Sequence, residues 1–158
     1  MRLRTALALV CLTGCLTACG PRPVDAKAGL TVDDQGNVLI IVEDCDREIN
    51  KVTLHGDATG SDVATSTYTR EKPVKGRTQF SVSTGGDGWS APGVEPRLTA
   101  NVKFSLNLTS TDGTLFGRPL GFTIADVAKL EPGQVFHRGV MDGVTLSETV
   151  EEFDGVAC

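Results

Sequence analysis

Histidine, methionine and the larger aromatics are scarce. The 158 residues hold two His, two Met, one Trp and one Tyr. Copper carriers need several imidazole or thioether ligands. Here His137 and Met141 are the one soft pair, since the other methionine is the initiator. His55 and His137 are the only imidazoles for acid–base work, and no Gly-x-Ser-x-Gly elbow accompanies them. The expectation is a non-enzymatic chain with no metal and no cofactor. Basic residues are also few, with Lys and Arg numbering 15 against 20 Asp and Glu. Nucleic acid is recognised through a basic stripe, so it is not an expected partner. Long apolar runs are missing as well. Leu7–Leu12 is short beside the ~20 apolar residues that a membrane-spanning helix needs.

What is present begins at the N-terminus. Arg2 and Arg4 precede the apolar Leu7-Ala8-Leu9-Val10-Cys11-Leu12, and Leu16-Thr17-Ala18-Cys19 follows. A basic segment, an apolar segment and small residues before a cut form an export signal. The tetrad ending in Cys19 resembles the lipobox of bacterial lipoproteins. The resemblance implies diacylglyceryl transfer to the Cys19 thiol and cleavage after Ala18. Leu12-Thr13-Gly14-Cys15 fits the same letters, but it would shorten the apolar segment to about seven residues, the lower edge of the usual range. It would also leave Leu16 exposed, so Cys19 is favoured. The expected location is the extracytoplasmic face of the cell membrane, held by N-terminal lipid. Loss of Arg2 and Arg4 leaves 13 basic and 20 acidic residues, a formal net charge of −7. The domain plan is a signal peptide at 1–18, a Pro-containing tether at 19–28 and one domain at 29–158.

Of five cysteines, Cys19 would carry lipid, and Cys11 and Cys15 would leave with the signal. Cys45 and Cys158 remain, in a compartment where disulfides form. A Cys45–Cys158 bond is therefore expected. Across so long a loop it would contribute up to about 5 kcal/mol. Glu43, Asp44, Asp46 and Glu48 surround Cys45. Calcium needs six or more oxygens from one side, whereas a strand would alternate these carboxylates, so a solvated loop is expected.

The rest of the chain reads as short strands. Leu30–Val32 and Val38–Val42 flank Asp33-Asp34-Gln35-Gly36-Asn37, a hairpin loop. Strands are also expected near Ile49–His55, Val63–Arg70, Thr78–Thr84, Leu115–Ile124 and Val135–Val140. Leu98 to Thr109 alternates apolar and polar residues over twelve positions, the signature of a half-buried strand. It places Leu98, Val102, Phe104 and Leu106 in the core, while Ile49–His55 turns His55 outward. Thr145–Phe153 reads as the single helix, with a capping-box spacing at Thr145…Glu148 and an apolar stripe of Leu146, Val150 and Phe153. The fold class is an all-β two-sheet sandwich of seven or eight strands with one short C-terminal helix, and the corner at Leu130–Phe136 is what makes it resemble an immunoglobulin-like one.

Leu130-Glu131-Pro132-Gly133-Gln134-Val135-Phe136 resembles the Leu-x-Pro-Gly corner of fibronectin type III and related immunoglobulin-like domains. Phe136 stands where those domains usually carry Tyr, so only the loop and a packing role are implied. The whole chain is similar to small actinobacterial lipoproteins that pair a lipobox with a β-sandwich; Glu151-Glu152-Phe153 and Ala157-Cys158 carry that likeness. The likeness implies no activity. The Gly-rich Gly85–Gly93 loop holds the sole Trp. Trp89 is either an exposed anchor or a lid folded over one end of the sandwich, with Tyr68 and Arg70 as companions of an exposed site. The functional expectation is a binding module for an envelope protein or surface glycan; an enzyme, a metal or small-ligand carrier and a purely structural accessory are the alternatives.

Overall fold

The computed structural model describes residues 26–45, 48–57, 65–73, 76–139 and 145–155. The signal, Cys19, Met141 and Cys158 lie outside them. The strands are β1 (Ala26–Val32), β2 (Val38–Asp44), β3 (Ile49–Asp57), β4 (Ser66–Thr69), β5 (Gly76–Ser81), β6 (Lys103–Ser110), β7 (Leu115–Thr123), β8 (Gln134–Arg138) and β9 (Thr145–Thr149). Two short helices follow β7 and β9: α1 (Ile124–Val127) and α2 (Val150–Gly155). One sheet runs β5-β2-β1-β8-β9 and the other β4-β3-β6-β7, with every pairing antiparallel. The all-β two-sheet sandwich is the observed architecture.

Strand alternation fills the space between the sheets. Leu30, Ile40, Val42 and Phe80 come from one sheet; Val52, Leu54, Tyr68, Phe104, Leu106, Leu120 and Phe122 come from the other. The unbroken apolar run Val38–Val42 has a separate cause. Val38, Ile40 and Val42 face the main core, while Ile41 faces the outer side of the sheet. There Ile41 meets Val135, Phe153 and Val150, so α2 covers a second, smaller core. A strand buried on both faces reads as continuous hydrophobicity. Gly29 lies under this helix for want of space: a Cβ would stand 2.4 Å from the Val135 side chain.

Three expectations are corrected. The sandwich begins at Ala26, inside the expected tether, because Ala26–Val32 pairs along its full length with β2. The strand expected from Leu98 begins only at Lys103. Asn101 takes a left-handed φ of 68°, and the Val102 amide donates to the Thr99 carbonyl at 3.4 Å, so the chain turns there. Phe104 and Leu106 are buried as expected, but Leu98 and Val102 are only partly buried. The expected helix is half strand: Thr145–Thr149 pairs with β8, and α2 starts at Val150. The Leu130–Phe136 corner does turn, with Gly133 at φ 86° and the Gln134 amide donating to the Glu131 carbonyl. It leads into β8, which pairs with β1 on one side and β9 on the other.

Candidate functional site

The Gly85–Gly93 loop joins β5 to the long connection before β6. Tyr68, on β4, points inward because Ser66 and Tyr68 alternate with exposed Thr67 and Thr69. Its ring lies 5.1 Å from Phe80, and its hydroxyl donates to the Val82 carbonyl at 2.6 Å. Burial pushes the Tyr68 phenol far above its ordinary range, so it stays a neutral donor. Phe80 stacks in turn on Trp89 at 4.7 Å and 22°. The three aromatics form a continuous row at this end of the core, with Tyr68 tilted 54° against Phe80.

Trp89 is therefore not an exposed anchor. It is 4 % exposed, and Tyr68 is 0 %. The lid alternative describes Trp89, and the contact-site assignment of Trp89 and Tyr68 is withdrawn. The physical reason is the polar end of the indole. Its Nε1 donates to Thr78 Oγ1 at 3.1 Å, so burial leaves no donor unpaired. Thr78 Oγ1 also accepts from Arg70 at 3.2 Å and donates to Asp87 Oδ2 at 2.5 Å. A hydroxyl has one proton and two lone pairs, and all three are used. Arg70 and Asp87 complete the cluster with an ion pair at 3.8 Å. Arg70 is largely buried (18 % side-chain exposure), whereas Asp87 stands out at 57 %.

The glycines of this loop make turns rather than mobility. A Cβ on Gly85 would meet the Trp89 and Ser90 carbonyl oxygens at 2.6 Å, at a φ of 69°. Gly88 lets the Arg70 guanidinium lie within 3.2 Å of where a Cβ would be. Reciprocal backbone bonds between Ser81 and Gly85 and between Gly86 and Trp89 pin the loop. Ser90 fastens it to β4 through the Thr69 amide and carbonyl. The exposed remainder is a rim: Asp87, then the bend carrying Val94. Val94 is 57 % exposed, and its carbonyl accepts from Ser66 Oγ at 3.0 Å. Sequence reading missed Val94. Its signal was a lone β-branched residue between Pro92 and Pro96, which forbid a covering ladder.

The other sequence candidates do not join this rim. His55 is exposed and contacts Thr65 at 2.9 Å. His137 is buried on the outer face of the other sheet. Asp44, at the end of β2, accepts from the Ile49 amide at the start of β3 at 2.7 Å, and Glu43 points to the opposite side. Among the described residues no three His, Cys, Asp or Glu side chains come together as a metal-holding group. Cys45 follows β2 with its sulfur engaged, and Cys158 lies outside the described residues. Compared with family models, curated proteins and solved structures, the chain matches none.

Proposed function

We propose that the chain is a lipid-anchored, extracytoplasmic β-sandwich module that binds another envelope protein or a surface ligand. The observation that carries this reading is the N-terminal signal ending in Leu16-Thr17-Ala18-Cys19. Two acyl chains give stable anchoring where one is marginal. The strand plan supports an immunoglobulin-like module. β1-β2-β5 opposite β4-β3-β6-β7 is a Greek-key arrangement of that kind, with β8 and β9 added beyond β1. The Cys45–Cys158 bond belongs to the same reading. Its support is that Cys45 and Cys158 are the two cysteines left once the signal and Cys19 are set aside. Further support is the alternation Ile41, Glu43, Cys45, which aims Cys45 toward the face that α2 covers.

In this reading the partner meets the rim that the aromatic stack supports, with Val94 as its apolar element and Asp87 as its charge. Exchange of Cys19 for Ser tests the anchor. Acyl labelling and membrane retention should both be lost; a Cys19→Ser protein that is still acylated overturns it. Val94→Asp tests the rim. Envelope material crosslinked to the native lipoprotein should fall about tenfold, the equivalent of 1.4 kcal/mol. Lys129→Ala, in the exposed turn after α1, should leave it unchanged. Equal capture by both variants removes this rim as the contact.

A further inference from the structure

The antiparallel register sorts the turns of the sandwich into two ends. Ala26 pairs with Asp44 and Asp44 with Gly76, so β1 begins where β2 finishes and β5 starts. Asp44 also accepts from the Ile49 amide, which brings the start of β3 to the same end. Thr69, the last residue of β4, pairs with Lys51 near that start. Ser110 is the cross-strand partner of Ile49 and Leu115 that of Thr109, so the β6–β7 turn lies there as well. The opposite end carries the Asp33–Asn37 hairpin, the close of β3 at Asp57, and α1 after β7.

Cys19 stands seven residues before Ala26. Seven residues of chain, fully extended, span at most about 25 Å. β1 alone rises about 20 Å from Ala26 to Val32. A tether drawn back along the sandwich to the far end would spend nearly its whole length. Holding it so costs conformational freedom at every residue. Charge acts in the same direction. The end where β1 begins mixes its signs, with exposed Lys72 and Arg77 among Glu48, Glu71 and Asp112. At the far end Asp33, Asp34, Asp57 and Glu131 outnumber Lys103 and Lys129. An anionic bilayer surface attracts basic groups and repels acidic ones within about 10 Å at ordinary salt.

We infer that, given the lipid anchor proposed above at Cys19, the sandwich stands on an anionic membrane surface by the end where β1 begins. Lys72 meets the headgroups there, and the acidic Asp33–Asn37 hairpin is held away from them. The rim keeps its access to a partner in this pose. The Val94 carbonyl bonds Ser66 at the start of β4, which places Val94 on the outward half of the domain.

Vesicles of phosphatidylcholine and phosphatidylglycerol, with a nitroxide on some headgroups, test the orientation. The acylated chain takes a fluorophore at Thr111→Cys, in the β6–β7 turn, or at Gln35→Cys, in the far hairpin; both positions are exposed. Wild-type chain carried through the same labelling sets the background, and Trp89 emission before labelling reports that each variant is folded. The probe at position 111 should lose most of its emission to the headgroup nitroxides, and the probe at position 35 little. The same two labels on Cys19→Ser protein should lose none. Equal quenching at both positions on vesicle-bound protein, or stronger quenching at position 35, overturns the orientation and leaves the anchor standing. A wild-type chain that does not join the vesicles overturns the anchor, and the orientation with it.

Discussion

At the residue scale, one hydroxyl holds the end of the sandwich together. Thr78 Oγ1 joins the indole of Trp89, the guanidinium of Arg70 and the carboxylate of Asp87. Thr78→Val keeps the shape and removes all three bonds. It leaves the Trp89 donor buried without a partner, a penalty of about 1–3 kcal/mol. Urea unfolding should show a loss of about 2–3 kcal/mol from the combined bonds. Trp89 emission should be blue-shifted and protected from acrylamide in the wild type, and quenched more readily in Thr78→Val. Thr78 was legible as an inward residue, since it alternates with Phe80 and Val82. Its bonding was not, because Arg70, Asp87 and Trp89 reach it from two other segments.

At the element scale, the C-terminal segment shows local and non-local forces in competition. Two Thr-x-x-Glu spacings occur in a row, at Thr145…Glu148 and Thr149…Glu152. Only the second caps a helix. Glu152 accepts from the Thr149 amide and hydroxyl at 2.9 and 3.1 Å, and the Glu152 amide donates back at 3.3 Å. The first spacing is consumed by pairing with β8, which supplies a full strand ladder. Sequence periodicity could place a helix here but not its start, because β8 is the competing partner. Thr149→Ala should cost about 1 kcal/mol, the usual worth of such a cap. The Thr149 bonds hold the Glu152 carboxyl below its usual range. A carboxyl lowered in the folded state stabilises above its unfolded pKa and stops doing so as pH falls through the folded value. Fraying of α2, read by exchange at its amides, should therefore rise in acid below the ordinary carboxylate range. Glu152→Gln should remove that acid dependence, whereas Thr149→Ala, which keeps the backbone amide, should remove only part of it.

At the scale of the whole molecule, two cores of unequal size are joined through β2. Phe104 is 2 % exposed, stacks on Phe122 at 5.5 Å and belongs to the large core. Phe104→Ala should lower global stability by about 3–5 kcal/mol. Phe153 is fully buried, but in the small core with Ile41 and Val135. Phe153→Ala should loosen β9 and α2 before the sandwich melts. Exchange protection in β9 and α2 should then fall while that of β2 and β6 is largely kept, the pattern of a sub-global opening. Loss of protection everywhere to the same extent would mean that the two cores unfold as one.

The sequence by itself determined the all-β class, the inward faces of β3, β5 and β6, and the hairpin at Asp33–Asn37. There Asp33 accepts from the Gln35 and Asn37 amides and Gly36 takes φ 80°. These features are local: alternation and turn chemistry act over two to five residues. Only the tertiary structure decided the fate of Trp89, the strand state of Thr145–Thr149 and the meeting of His137 with Glu148 and Phe153. Each depends on a partner from another part of the chain. A Gly-rich loop with one Trp reads the same whether its indole finds Thr78 or water. The burial of Phe80 and Tyr68 beneath it, together with a hydroxyl placed to receive the indole proton, turned that loop inward.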